Sequence, residues 1–135
     1  DDIVAYGVPR QRITWWIPPY EWYNEDISGW SLEKNIRLFC FTPGTLSHAD
    51  YTEATAGNYK DNETIYKSIL DYEAEAEDGL NGFLLLTHVG ASDARPDKFF
   101  NRLGDLLSDL EARGYQFIPL EEMLADAPQT QSEDI

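Results

Sequence analysis

Three short apolar segments of this chain each run straight into a cluster of polar and aromatic side chains, which limits the folds open to it. Arg12–Ile17 leads into Pro18-Pro19-Tyr20-Glu21-Trp22-Tyr23-Asn24. Ile36–Phe41 leads into Thr42-Pro43-Gly44-Thr45 and then His48-Ala49-Asp50-Tyr51. Gly82–Leu86 leads into Thr87-His88-Val89-Gly90. A fourth strand-like segment is Tyr115–Pro119. With the helical patterns between them, the order is β-α-β-α-β-α-β-α. That order predicts an α/β fold of four mainly parallel strands with right-handed crossovers and outer helices. Chemistry in such folds collects at the carboxyl ends of strands. The three clusters are therefore predicted to share one face as part of an active site.

Local signals fill in the elements. Asp1–Gly7 reads as the last turns of a helix closed by a C-cap glycine, which predicts a chain that continues upstream. Asn24 is placed to cap a helix over Glu25–Asn35, with Glu25 and Asp26 favourable in its first turn. Pro43-Gly44 opens a loop reaching Lys60, and loops of that length are usually functional or lids. Asn62 is expected to cap a helix running to Glu77. Ile65, Tyr66, Ile69, Leu70 and Tyr72 form its apolar stripe, and Glu73, Glu75, Glu77 and Asp78 form a solvated end. Phe83-Leu84-Leu85-Leu86 is continuous enough for a central parallel strand buried on both faces. Asp97–Arg113 is the clearest helix, with Phe99, Leu103, Leu106 and Leu110 on one face and Gly114 at its end. A short helix follows at Glu121–Ala125. The expected organisation is one domain over residues 1–125 and an acidic, disordered tail over 126–135.

The chain has 135 residues, 42% of them apolar, which is enough for one globular core. Its four Trp and eight Tyr suit either a core or a sugar-binding cleft. The net charge of −15 argues against nucleic acid and anionic membrane surfaces as partners and suits a neutral or cationic substrate. The same charge also serves solubility. Cys40 has no partner for a disulfide or a metal site and reads as a buried, inert thiol. No apolar run approaches the length of a membrane span.

Each cluster admits a functional and a structural reading. Pro18 and Pro19 fix the backbone and remove two donors, leaving the Tyr20 N–H with few local competitors. An aimed N–H of that kind suits an oxyanion site, and the same residues suit a plain strand-to-loop corner. Glu21 fits a substrate contact or an exposed acid; Trp22 and Tyr23 fit a sugar platform or core packing. His88, at the carboxyl end of an apolar strand, fits a catalyst or a structural hydrogen-bonder. His48 lies in the long loop. Asp50 could orient an imidazole or cap a turn. The two histidines, forty positions apart, form no metal pattern, and no nucleophile elbow, P-loop or dinucleotide fingerprint is present.

These residues resemble the C-terminal part of the polysaccharide deacetylase domain, carbohydrate esterase family four. The resemblance rests on Ile17-Pro18-Pro19-Tyr20-Glu21-Trp22-Tyr23-Asn24, on Thr42-Pro43-Gly44-Thr45 with Ala49-Asp50-Tyr51, and on Leu86-Thr87-His88. It covers residues 1–125 and looks like a bacterial branch of the family. It implies the C-terminal part of a distorted (β/α) barrel that removes N- or O-acetyl groups from a carbohydrate polymer. His88 would be the general acid, tuned by Asp50. The Tyr20 N–H would stabilise the oxyanion, Leu86 would wall the acetyl pocket, and Glu21, Trp22, Tyr23 and Tyr51 would contact the saccharide. A divalent metal of the zinc, cobalt or nickel class is implied for the full-length parent, with no metal ligand in this chain.

Two departures from the family stand out. Ile17 occupies the place where the family carries an Arg that holds the catalytic base. The early motifs Thr-Phe-Asp-Asp and His-x-x-x-His, which supply base and metal ligands, are absent. The fragment is therefore expected to be inactive alone, with acetylated polysaccharide as substrate and the missing N-terminal portion of the barrel, or a second copy, as partner. The resemblance leans toward a periplasmic or extracellular location. The alternative is a non-catalytic carbohydrate-binding or interaction module on the same scaffold.

Overall fold

A computed structural model describes residues 2–123. The predicted tail at 126–135, and Ala125 at the end of the expected last helix, lie outside the described residues. The chain divides into two compact units, Asp1–Thr42 and Pro43–Ile135.

The first unit is a β-α-β arrangement preceded by a short helix α1 (Asp2–Ala5). Strands β1 (Trp15–Trp16) and β2 (Arg37–Leu38) pair in parallel, Trp15 against Arg37 and Trp16 against Leu38. Helix α2 (Glu25–Glu33) makes the crossover. Its start follows the sequence signal: Asn24 Oδ1 accepts the Ile27 N–H at 2.9 Å, and Glu25 and Asp26 occupy the positive end of the helix dipole. Its end comes earlier than the pattern suggests. Asn35 adopts a left-handed φ of +53°. The Ile36 and Asn35 N–H groups then bond the Ser31 and Leu32 carbonyls, both at 2.9 Å, in a Schellman closure. The Trp16 indole N–H ties β1 to α2 by donating to the buried Ser31 Oγ at 2.7 Å.

The second unit packs α3 (Asn62–Glu75) and α4 (Leu103–Ala112) around one core. Ile65, Tyr66 and Ile69 come from α3, Leu106 and Leu110 from α4, and Leu80 and Phe99 complete the cluster. The expected single helix over 97–113 is instead a 3₁₀ turn, Phe99–Arg102, followed by α4. Gly114, at φ +96°, closes α4 as expected. The N-cap of α3 is Asp61 rather than Asn62: Asp61 Oδ1 accepts the Thr64 N–H at 2.7 Å, and that bond holds the Asp61 carboxyl below its ordinary range. The Asn62 N–H goes to Asp97 Oδ2 at 2.6 Å. Glu73 is not at a solvated end; it accepts from Arg113 and, at 3.4 Å, from the Tyr115 hydroxyl. Helix α5 (Leu120–Met123) is the last described element.

One side chain fastens the long loop. Arg95 is 1% exposed. Its Nε donates to the Asp97 carbonyl at 2.6 Å, Nη1 to the Thr52 carbonyl at 2.9 Å, and Nη2 to the Lys60 carbonyl at 2.9 Å and Asn62 Oδ1 at 3.2 Å. The guanidinium also lies 5.0 Å from the centroid of the Tyr59 ring, and the Tyr59 hydroxyl donates to Asp97 Oδ1 at 2.5 Å. At the entry to the loop, Gly44 has a φ of +127°, and a Cβ there would run into the Tyr72 ring.

The strands differ from expectation in number. Among the described residues, β1 and β2 form the one regular sheet. Phe83–Leu86 is half-buried and Gln116–Pro119 is exposed, and neither is a regular strand. A strand is defined by repeated ladder bonds to a neighbour, so an apolar run does not by itself make one. Among the described residues no helix is long and apolar enough to cross a membrane.

Two measurements test this account. Replacing Arg95 by Met leaves its carbonyl acceptors facing an apolar chain and is expected to cost about 3–5 kcal/mol in urea unfolding. Arg95→Lys should cost less, because it keeps the charge but loses the fork. Burial, reinforced by the hydrogen bond to Asp109, pushes the Tyr66 phenol up to about 12. An unfolded Tyr loses its proton near pH ~10. The folded state thus holds that proton longer, and stability should fall as pH rises from about 10 to 12. Tyr66→Phe should flatten that part of an alkaline unfolding profile.

Candidate functional site

The second unit brings Asp50, Tyr51 and His88 together. Asp50 belongs to a 3₁₀ turn, Ser47–Tyr51, inside the long loop. It is 1% exposed. A buried carboxylate needs donors, and His88 supplies two of them. The His88 backbone N–H donates to Asp50 Oδ2 at 2.6 Å, and His88 Nδ1 lies 2.6 Å from Asp50 Oδ1. An ionised carboxylate can only accept, so opposite an ionised Asp50 the Nδ1 position is the donor. Nε2 is the ring nitrogen left for a ligand. Tyr51 packs edge-on against the imidazole, with ring centroids 5.2 Å apart.

His88 and Tyr51 line an open cleft of about 710 Å³. Its other walls include Thr52, Glu53, Asn58, Gly90 and Ser92. Glu53 Oε1 accepts the Ser92 hydroxyl at 2.7 Å across the cleft wall. The turn carrying Asp50 is closed by the Thr52 hydroxyl, which donates to the Ala49 carbonyl at 2.8 Å. The Thr52 carbonyl is in turn held by Arg95. Leu86 is half-buried and lies outside the lining of this cleft. His48 is half-buried.

Tyr20, Glu21, Trp22 and Tyr23 lie in the first unit. The Pro19–Glu21 segment is a 3₁₀ turn in which Tyr20 (φ +58°) and Glu21 (φ +55°) are both left-handed. Two consecutive non-glycine residues in that region are uncommon and strained. The Glu21 and Trp22 N–H groups bond the Pro18 and Pro19 carbonyls at 2.9 and 3.3 Å. The Tyr20 N–H has no acceptor among the described residues. Tyr20 is 83% and Trp22 80% exposed, so both rings stand out from the unit rather than packing into it. Glu21 is half-buried. Burial, and then the Glu21 charge, push the Cys40 thiol up from its ordinary value, which suits an unreactive sulfur.

Among the described residues, no three His, Cys, Asp or Glu side chains gather into a set that would hold a metal ion. The described residues thus offer no ligand set for the divalent metal that the resemblance implies. Within the second unit, the imidazole of His88 is a group able to exchange a proton with a ligand in the cleft. Three residues that line or brace the cleft were not evident from sequence: Glu53, Ser92 and Arg95. Arg95 sits alone among Ala94, Pro96 and Asp97, where nothing marks it as buried. Glu53 stands three positions after Asp50, and Ser92 two after Gly90, which are spacings without a recognised signature.

No family model, no curated protein and no solved structure matches the chain.

The dyad gives a direct test. Asp50→Asn places an amide, which carries its own N–H₂ donors, against two N–H donors of His88. It is expected to lower stability by about 1–3 kcal/mol and to release the imidazole from its single tautomer, read from the ring ¹⁵N shifts of His88. Unchanged shifts would show that Asp50 does not set the tautomer.

Proposed function

We propose that this chain is the C-terminal portion of a carbohydrate deacetylase and supplies the proton-donating side of its site. The observation that carries the reading is the buried Asp50 carboxylate bound to both the backbone and the ring of His88. Those two bonds orient the imidazole and leave Nε2 as the ring position open to a ligand, the arrangement a general acid uses. As an imidazolium, His88 would pass its Nε2 proton to the amine or alkoxide that leaves as the acetyl bond breaks, and would be left as the neutral imidazole with Nδ1–H on Asp50. The base and the divalent metal that the resemblance implies would come from outside these residues, from the missing N-terminal portion of the barrel or from a second copy.

A second reading rests on a different observation. Tyr20, Trp22 and Tyr23 are exposed on the first unit, and Tyr51 is exposed beside a cleft on the second. Exposed aromatic rings suit saccharide faces, so the chain would bind carbohydrate without catalysis.

The two readings separate in a longer chain that also carries the Thr-Phe-Asp-Asp and His-x-x-x-His stretches. Acetate release would be followed from an acetylated chito-oligosaccharide and from acetylated xylan. His88→Ala is expected to lower kcat by about 10²–10⁴-fold with saccharide affinity retained. Near-normal turnover in that variant would remove His88 from the acid role, and no turnover in the parent would favour the binding module.

A further inference from the structure

The cleft beside His88 is lined by a single acidic side chain. Its lining contains Glu53 and no Lys or Arg. Glu53 Oε1 is engaged by the Ser92 hydroxyl, and no ion pair involves Glu53 among the described residues. Lys98 lies outside that lining and directs its ammonium, still charged, to the backbone carbonyls of Ala91 and Ser92 rather than to Glu53. The one other ionisable pair at this site is internal, since His88 is bonded to Asp50. Glu53 is therefore a held carboxylate with an open oxygen, facing a space that also offers the Tyr51 ring.

A carboxylate in that position repels uronic acids and phosphates, accepts from neutral hydroxyls, and binds an ammonium best. We infer that Glu53 is a specificity-determining residue that selects saccharides presenting an ammonium group, such as partly de-N-acetylated glucosamine oligomers. The inference rests on the carbohydrate reading above and adds the charge of the preferred ligand. Ser92 has a positioning role: its hydroxyl holds one oxygen of Glu53 and leaves the other for the amine.

Binding to this chain can be measured by calorimetry or NMR titration at pH 6 and low salt. The probes are the glucosamine tetramer, the N-acetylglucosamine tetramer, xylotetraose and a galacturonate trimer. The glucosamine tetramer is expected to bind roughly two- to fivefold more tightly than its acetylated counterpart, the range of one exposed ion pair. The galacturonate trimer should bind most weakly, and the preference should shrink as salt is added. Glu53→Gln, which keeps the shape, should bring the ratio of the two tetramers to about one. Glu111→Gln, an exposed carboxylate on α4, controls for the general negative charge and should leave the ratio unchanged. An unaltered ratio in Glu53→Gln, or an equal fall in Glu111→Gln, overturns the assignment while saccharide binding stands. If no saccharide binds at millimolar concentration, the carbohydrate reading fails with it.

Discussion

The buried guanidinium of Arg95 is the interaction on which the second unit depends. A charge taken out of water is costly unless its hydrogen-bond positions are filled. Arg95 fills them with the carbonyls of Thr52, Lys60 and Asp97 and with Asn62. Those acceptors come from the long loop, the start of α3 and the segment before α4. The desolvation cost is offset only when all three arrive together, so the same contact that tolerates the charge also gathers the chain.

From Arg95 a sequence of contacts leads to the chemistry. Arg95 holds the Thr52 carbonyl, and the Thr52 hydroxyl closes the turn onto Ala49. That turn carries Asp50, and Asp50 grips His88 at two points. The cleft side chains Tyr51 and Glu53 flank Thr52 in the chain, so the residue held by Arg95 lies between them. Rigid support of this kind, reaching back to a packed interior, separates a usable site from a loose one.

Much of this was legible in the sequence, but unevenly. Helix α2 announced itself through Asn24 and the acidic residues after it, and α3 and α4 through their apolar stripes, because capping and amphipathicity are local properties. Asp50 and His88, linked in the sequence only through the family resemblance, lie within hydrogen-bond distance of each other. The cap of α3 was misplaced by one residue because Asp61 and Asn62 are both good caps and only the presence of Asp97 decides between them. Phe83–Leu86 looked like a central strand because its composition is right, yet strand formation depends on a neighbour that composition does not reveal. Arg95 was invisible for a related reason: a lone arginine next to a proline is ordinarily exposed, and its burial follows from acceptors at positions 52, 60 and 62. Tyr20 and Glu21 gave no sign of left-handed backbone, since neither residue favours it and the strain is imposed by the prolines before them and the turn after.

Gly44 has a consequence for how this sequence can change. The space its missing side chain would fill is taken by the Tyr72 ring, and its backbone angle excludes most other residues. A substitution at 44 is therefore tolerated only alongside a smaller residue at 72 and a different path into the loop. Gly79 stands in the same relation to Tyr115, whose hydroxyl occupies its vacant side. Each pair therefore imposes an order on change: the glycine is locked while its tyrosine stands, whereas a smaller residue at the tyrosine can come first and vacate the space.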